Sequence, residues 1–247
     1  MSAAAGFVLA LATAAGAAPP SRDGPAVLQR LVWRAQPVYC GGPRGRLVAL
    51  TFDDGPGPYS MQVLNALRRG HARATFFLVG SRVAYWPQAA RAEAGVDVLG
   101  NHTWSHPHLP KLPPARDREE LVRAQRAIVA ETNVVPAVFR PPYEESTPRI
   151  DRMASGLGLL DVRWSVDSGD ALPGATPARV AAAVAAGVRP GSIVLLHDAH
   201  PWTARAVGLV LAELRARRLR PVTVTDLLEL DPPTAAQLAP HANGRCG

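Results

Sequence analysis

The sequence predicts an α/β fold made of successive βα units around a parallel sheet. After Cys40, short apolar runs of strand character alternate with segments of helical period. Short polar islands close the apolar runs instead of interrupting them. No internal repeat, low-complexity linker or second domain divides the chain.

The elements follow in order. Residues 46–52 read as a buried strand ending on Asp53-Asp54. A helical segment over 61–69 precedes a strand over 74–79, a short helix over 88–94 and a third strand over 96–99, which leads into His102. The longest helix is predicted over 116–131, with Leu121, Ile128 and Val129 among its apolar positions. A short strand at 137–139 feeds Arg140, then come a helix over 148–157 and a strand over 161–166. A helix over 177–186 starts at Pro177, where the missing N–H is harmless. A strand over 193–196, a helix over 203–217 and a strand over 221–224 complete the alternation, and 231–247 reads as an irregular tail.

The 247 residues suffice for one large domain, and a composition of 47% hydrophobic and 19% charged residues is globular. The formal net charge is +7, and Lys111 is the sole lysine among the basic residues. Genomic base composition accounts for an arginine, alanine and proline excess as readily as function does. A basic surface favours an anionic partner such as a cell-wall polymer. No basic stripe with interleaved aromatics is present, so nucleic acid is not an expected partner. A monomer is expected.

Residues 1–20 stand apart as either a cleaved export signal or a disordered alanine-rich tail, followed by an N-terminal extension over 21–45. The apolar stretch from 3 to 18, with small residues at Ala15-Gly16-Ala17, favours export to the cell exterior or wall, although no positive charge precedes it. The stretch is too short to be a good membrane span. Two cysteines fit export. Cys40 and Cys246, if oxidised, would tie the two ends together and stabilise by up to about 5 kcal/mol in the loop-entropy model. Two separate thiols are the alternative.

Five polar islands carry the chemistry: Thr51-Phe52-Asp53-Asp54-Gly55-Pro56, Asn101-His102-Thr103-Trp104-Ser105-His106-Pro107, Arg140-Pro141-Pro142-Tyr143, Trp164-Ser165-Val166-Asp167-Ser168-Gly169-Asp170, and Leu195-Leu196-His197-Asp198. Singly each has an ordinary explanation: a turn, two loop histidines, a surface arginine, a core histidine. Each nevertheless sits at or just past the C-terminal end of a predicted strand, the face where parallel barrels build active sites. Asp54, His102 and His106 offer one carboxylate oxygen and two imidazole nitrogens. That set leaves a fourth position open, as in a catalytic zinc site. The His102–His106 spacing puts both rings on one side if the segment makes a helical turn.

In this order the islands resemble the polysaccharide deacetylase family, whose catalytic unit is the NodB homology domain of carbohydrate esterase family 4. The resemblance runs from about 46 to about 228. It implies a distorted, incomplete (β/α)7 barrel with a catalytic domain over 46–230. It also implies a divalent cation on Asp54, His102 and His106, most often Zn2+, while Co2+, Ni2+ or Fe2+ suit the same ligands. Asp53 takes the family's role of general base and His197 that of general acid. Arg140 orients the base, Asp170 holds and tunes the histidine, and the Tyr143 amide faces the oxyanion. Asp167 lies in the same island as Asp170, and a solvated loop residue is the alternative reading for one of the two. Pro142, Trp164 and Leu195 are assigned to the substrate groove.

The activity implied is removal of N-acetyl groups from N-acetylglucosamine polymers such as chitin oligomers or peptidoglycan. Deesterification of acetylxylan, or carbohydrate binding after loss of catalysis, are the rivals. Two departures from the pattern bear on substrate. Glu144 stands where the family has glycine, and Ala171 where a tryptophan is common. Trp202 is the available replacement for that lost aromatic wall.

Overall fold

The alternation of strand side chains between the two faces of the sheet decides which residues reach the site. The computed structural model describes residues 26–238, so the expected export signal, Cys246 and the end of the tail lie outside the described residues. Strand β1 (Leu47–Gly55) is the centre of the sheet. It pairs in parallel with β2 (Thr75–Leu78) along one edge and β7 (Ile193–His197) along the other. Leu50 and Phe52 pack with Phe76, Leu78, Val194 and Leu196 into the cluster shared with the surrounding helices. The intervening Ala49, Phe77 and Ile193 belong to the inner cluster. Alternation therefore puts Asp53 and His197 on the inner side, and the register makes them direct neighbours.

The sheet continues through β3 (Val98–Asn101), β4 (Val138–Phe139), β5 (Leu160–Asp161) and β6 (Val166–Asp167) in the order β5-β4-β3-β2-β1-β7-β6. A further strand, β8 (Arg220–Val222), pairs with the first residues of β1. All pairings are parallel, and the two end strands of the path, β5 and β6, do not pair with each other. This is the incomplete, distorted (β/α)7 barrel that the sequence predicts.

The helices are α1 (Val27–Trp33), α2 (Ser60–Arg69), α3 (Gly80–Tyr85), α4 (Pro87–Ala94), α5 (Pro114–Thr132), α6 (Pro148–Gly156), α7 (Pro177–Gly187), α8 (Pro201–Ala216) and α9 (Val224–Leu230). Val63, Leu67, Ile128, Val184, Val207 and Leu214 line their inner faces and are almost fully buried. Each such side chain contributes roughly 1.5–3 kcal/mol by leaving water. Thr176 caps α7 by accepting from the Arg179 amide at 3.2 Å, and Pro177 fills its first turn. Among the described residues no helix is long and apolar enough to cross a membrane.

Two local expectations differ from the structure, and a third holds with an added contact. The strand expected over 161–166 is broken into β5 and β6, because the carbonyls of Val162 and Arg163 accept from the Arg140 guanidinium at 2.9 and 3.0 Å. The last strand stops before Val224, which opens α9 after the Thr223 hydroxyl caps the Asp226 amide. Residues 231–238 are irregular as expected, but Asp231 is anchored. It is buried and accepts from the Gly45 amide at 2.5 Å and Arg44 Nε at 3.2 Å, tying the end of α9 to the approach to β1. Cys40, at the same approach, is buried.

Candidate active site

At the C-terminal mouth of the barrel β1 delivers two adjacent carboxylates in different directions. Asp53, 3% exposed, accepts from Arg140 Nη1 at 2.8 Å. Asp54 has a left-handed backbone (φ +69°), which swings its side chain away from the strand alternation and toward two histidines. Gly55 follows because nothing larger fits: a β-carbon there would lie 2.7 Å from both carboxylate oxygens of buried Asp198.

Arg140 is fully buried and spends its donors on four acceptors. Besides Asp53 and the two carbonyls at the barrel seam, Nη1 reaches Thr51 Oγ1 at 2.8 Å. Its guanidinium carbon sits 4.2 Å from the centroid of the Phe77 ring and 5.5 Å from that of Trp164. Burial pulls the Arg140 pKa down, and the Asp53 charge works against that pull.

Asp54, His102 and His106 present one donor atom each within 4.8 Å of one another. Asp54 Oδ1 lies 3.6 Å from His102 Nε2 and 3.2 Å from His106 Nε2. Burial opposes ionisation of Asp54, but the two imidazoles outweigh it and hold the carboxyl well below the usual range. His102 Nδ1 is 2.6 Å from the Arg140 carbonyl, which can only accept. The ring proton is therefore on Nδ1, and Nε2 keeps its lone pair for a cation. The donor set fits a divalent ion with an open position. The helical turn expected across His102–His106 is absent. The segment is a loop in which Thr103 (φ +67°) and His106 (φ +59°) are left-handed, and this reversal rather than helical spacing brings the rings to 4.9 Å.

On the other side of Asp53, His197 Nδ1 is 2.8 Å from Asp170 Oδ1, and the His197 amide donates to Asp170 Oδ2 at 2.7 Å. Thr203 Oγ1 adds a bond to the same oxygen at 2.6 Å. Burial disfavours a charged His197, yet Asp170, with Asp53 and Asp54 behind it, lifts its pKa to about 9. Asp170 is correspondingly lowered, against the opposing effect of its own burial, by those hydrogen bonds. Asp167 is exposed at the wall of the cavity and closes its own turn by accepting from the Gly169 amide at 2.8 Å, whereas Asp170 is the partner of the histidine.

These groups share one cavity of about 360 Å³. Asp53, Asp54, His102, His106, Tyr143, Trp164, Leu195 and His197 all line it, and of the two prolines Pro141 lines it and the expected Pro142 does not. Glu144 adopts φ +59° and stands on the rim, keeping the backbone shape of a glycine with a side chain attached. Trp202 donates Nε1 to the Asp170 carbonyl at 2.7 Å, and His200 stacks on it at 4.8 Å and 12°. His200 is the one of the pair that lines the cavity, beside Ala171. Sequence reasoning missed His200, Thr51 and Thr203. The signal for Thr51 was alternation, since it sits two residues before Asp53 on the same side of β1.

Comparison with known proteins agrees with this geometry. The family model described as polysaccharide deacetylase matches residues 41–162. A chitooligosaccharide deacetylase of Bradyrhizobium is 42% identical over 160 residues, covering 63% of this chain and 72% of that protein. A peptidoglycan-N-acetylglucosamine deacetylase of Listeria monocytogenes is 35% identical over 182 residues, covering 73% of this chain. The alignment spans only 38% of the length of that Listeria protein. The crystal structure of the Bc1960 peptidoglycan N-acetylglucosamine deacetylase superposes with a TM-score of 0.76 at 28% identity, covering 80% of this chain and 95% of that one. The chain belongs to the polysaccharide deacetylase family, the carbohydrate esterase family 4 hydrolases.

Proposed function

We propose that this chain removes N-acetyl groups from N-acetylglucosamine units of a chitin-like or peptidoglycan polymer outside the cell, with a divalent cation, zinc by preference, as its cofactor. The observation that supports this most is the placement of Asp53 between two different partners. One side faces the Asp54-His102-His106 donor set, and the other faces His197 across the β1–β7 register. When bound, the cation would lower the pKa of a water toward about 7 and polarise the acetyl carbonyl.

The chain's own groups supply the rest. Asp53, held by Arg140, takes the proton of the attacking water. The Tyr143 amide stabilises the oxyanion of the tetrahedral intermediate. His197, charged through Asp170, gives its proton to the departing sugar nitrogen as the C–N bond breaks, and acetate is left. Trp164 and Leu195 wall the acetyl methyl. A binding protein that has lost turnover would have no need for Asp53, Arg140, Asp170 and His197 in mutual contact.

Acetate release from chitin oligomers, peptidoglycan and acetylxylan, measured in parallel with purified protein, tests the reading. Release from either of the first two supports an amidase. Release from acetylxylan alone would replace it with an esterase on the same residues, and no release from any would reject the assigned activity.

A further inference from the structure

The two histidines of the donor set are not anchored alike. His102 is fixed through its second ring nitrogen to the Arg140 carbonyl. For His106, among the described residues, no protein group bonds the second ring nitrogen. Beyond the approach of Nε2 to Asp54 Oδ1 at 3.2 Å, its ring packs edge-to-face with those of His102 and Tyr143, and its backbone amide donates to Thr103 Oγ1 at 3.1 Å. The position of His106 therefore depends on the loop backbone. That backbone holds two non-glycine residues in the left-handed region, each costing of order 1–2 kcal/mol. Such a loop persists only if something outside it holds it.

Glu120, on the facing side of α5 and 8% exposed, is placed to do so. Its Oε2 accepts from the backbone amides of both Trp104 and Ser105, at 3.0 and 2.8 Å, and its Oε1 accepts from Ser105 Oγ at 2.8 Å. These residues lie between the two histidines. All three bonds go to one carboxylate, so a single side chain fixes two successive backbone amides and a hydroxyl. The same helix holds the start of the loop, since Asn101 Nδ2 donates to the Leu121 carbonyl at 2.8 Å, and Asn101 Oδ1 accepts from the Thr103 amide at 2.9 Å. Arg123 covers the Trp104 ring at 3.8 Å.

We infer that Glu120 is a positioning residue for the metal centre, setting His106 through the Trp104–Ser105 backbone. The inference rests on the cation reading of Asp54, His102 and His106. A zinc competition titration with a chromophoric chelator tests it on the full chain, alongside thermal melts of the metal-free proteins. E120A and E120D should each bind zinc about 10- to 100-fold more weakly than wild type at a temperature where the metal-free protein is folded. Aspartate keeps the charge but is one methylene too short. E120Q should stay close to wild type, because its amide oxygen can accept both backbone N–H groups and its amide nitrogen can donate to the Ser105 hydroxyl. A merely structural glutamate would lower the melting temperature and leave the zinc affinity of the folded protein unchanged, and that result overturns the inference. If E120A does not fold, E120D decides. A wild-type protein that takes up no zinc would remove the cation reading itself, and this inference with it.

Discussion

Arg140 Nη1 lies 2.8 Å from Asp53 Oδ1, and both side chains are almost wholly withdrawn from water. One guanidinium thus fixes the proposed base and, through the Val162 and Arg163 carbonyls, closes the seam where the barrel leaves a strand broken. A lysine cannot meet Thr51, Asp53 and two carbonyls at once, because it presents a point charge and not a fork. R140K should therefore lose both stability and turnover. Disrupting a buried pair costs about 3–5 kcal/mol when a charge is left uncompensated, so R140M sets the upper limit and R140K falls below it. Misplacement of Asp53 should lower kcat about 100-fold. Denaturant unfolding and initial rates check this, and native values of both in R140K would contradict the assigned role.

The His197–Asp170 pair predicts a pH dependence with a definite sign. His197 is raised from 6.5 to about 9, so its contribution to stability is complete below 6.5 and is lost as pH rises through about 9. Asp170 is lowered from 3.8, so its contribution is present above that value and fades as pH falls beneath it. D170N removes the main support for the charged imidazole. In the metal-free protein the His197 resonance should then titrate at least about one pH unit lower by NMR. The alkaline limb of kcat/KM should move the same way, and an unmoved titration would refute Asp170 as the tuning group.

Removing a donor should remove the metal. D54A and H106A should each retain the fold, because Asp54 and His106 are partly exposed and neither belongs to the hydrophobic clusters. Both should lose bound zinc after dialysis, as measured by elemental analysis, where wild type keeps about one ion per chain. Retention of a full equivalent by D54A would place the cation elsewhere.

Glu144 offers a test of backbone strain apart from charge. E144G and E144A both delete the rim carboxylate, but only glycine accepts φ +59° without a steric penalty. The glycine variant should be the more stable of the two by about 1 kcal/mol in thermal melts, and equal stability would show that the turn relaxes freely.

Much of this architecture was legible in the sequence because strands and islands obey local rules. Continuous apolar runs located β1, β2 and β7, and the polar residues at their ends marked the mouth of the barrel. What stayed hidden depends on contacts between distant residues. The break between Asp161 and Val166 arises from Arg140, more than 20 residues earlier in the chain, capturing backbone carbonyls. The left-handed turns at Thr103 and His106 carry no glycine to announce them. His200 enters the cavity because Trp202 stacks behind it and anchors to the Asp170 carbonyl, which no spacing rule foretells.

The proposed reaction turns on Asp53 acting as a base beside a cation held by Asp54, His102 and His106. Its most direct test is acetate release by wild type and D53N, each assayed as purified, after chelation and after zinc is restored. Wild-type release should stop on chelation and return with zinc, and D53N should be inactive throughout while binding zinc as wild type does. Release that survives chelation, or full activity in zinc-loaded D53N, would contradict it.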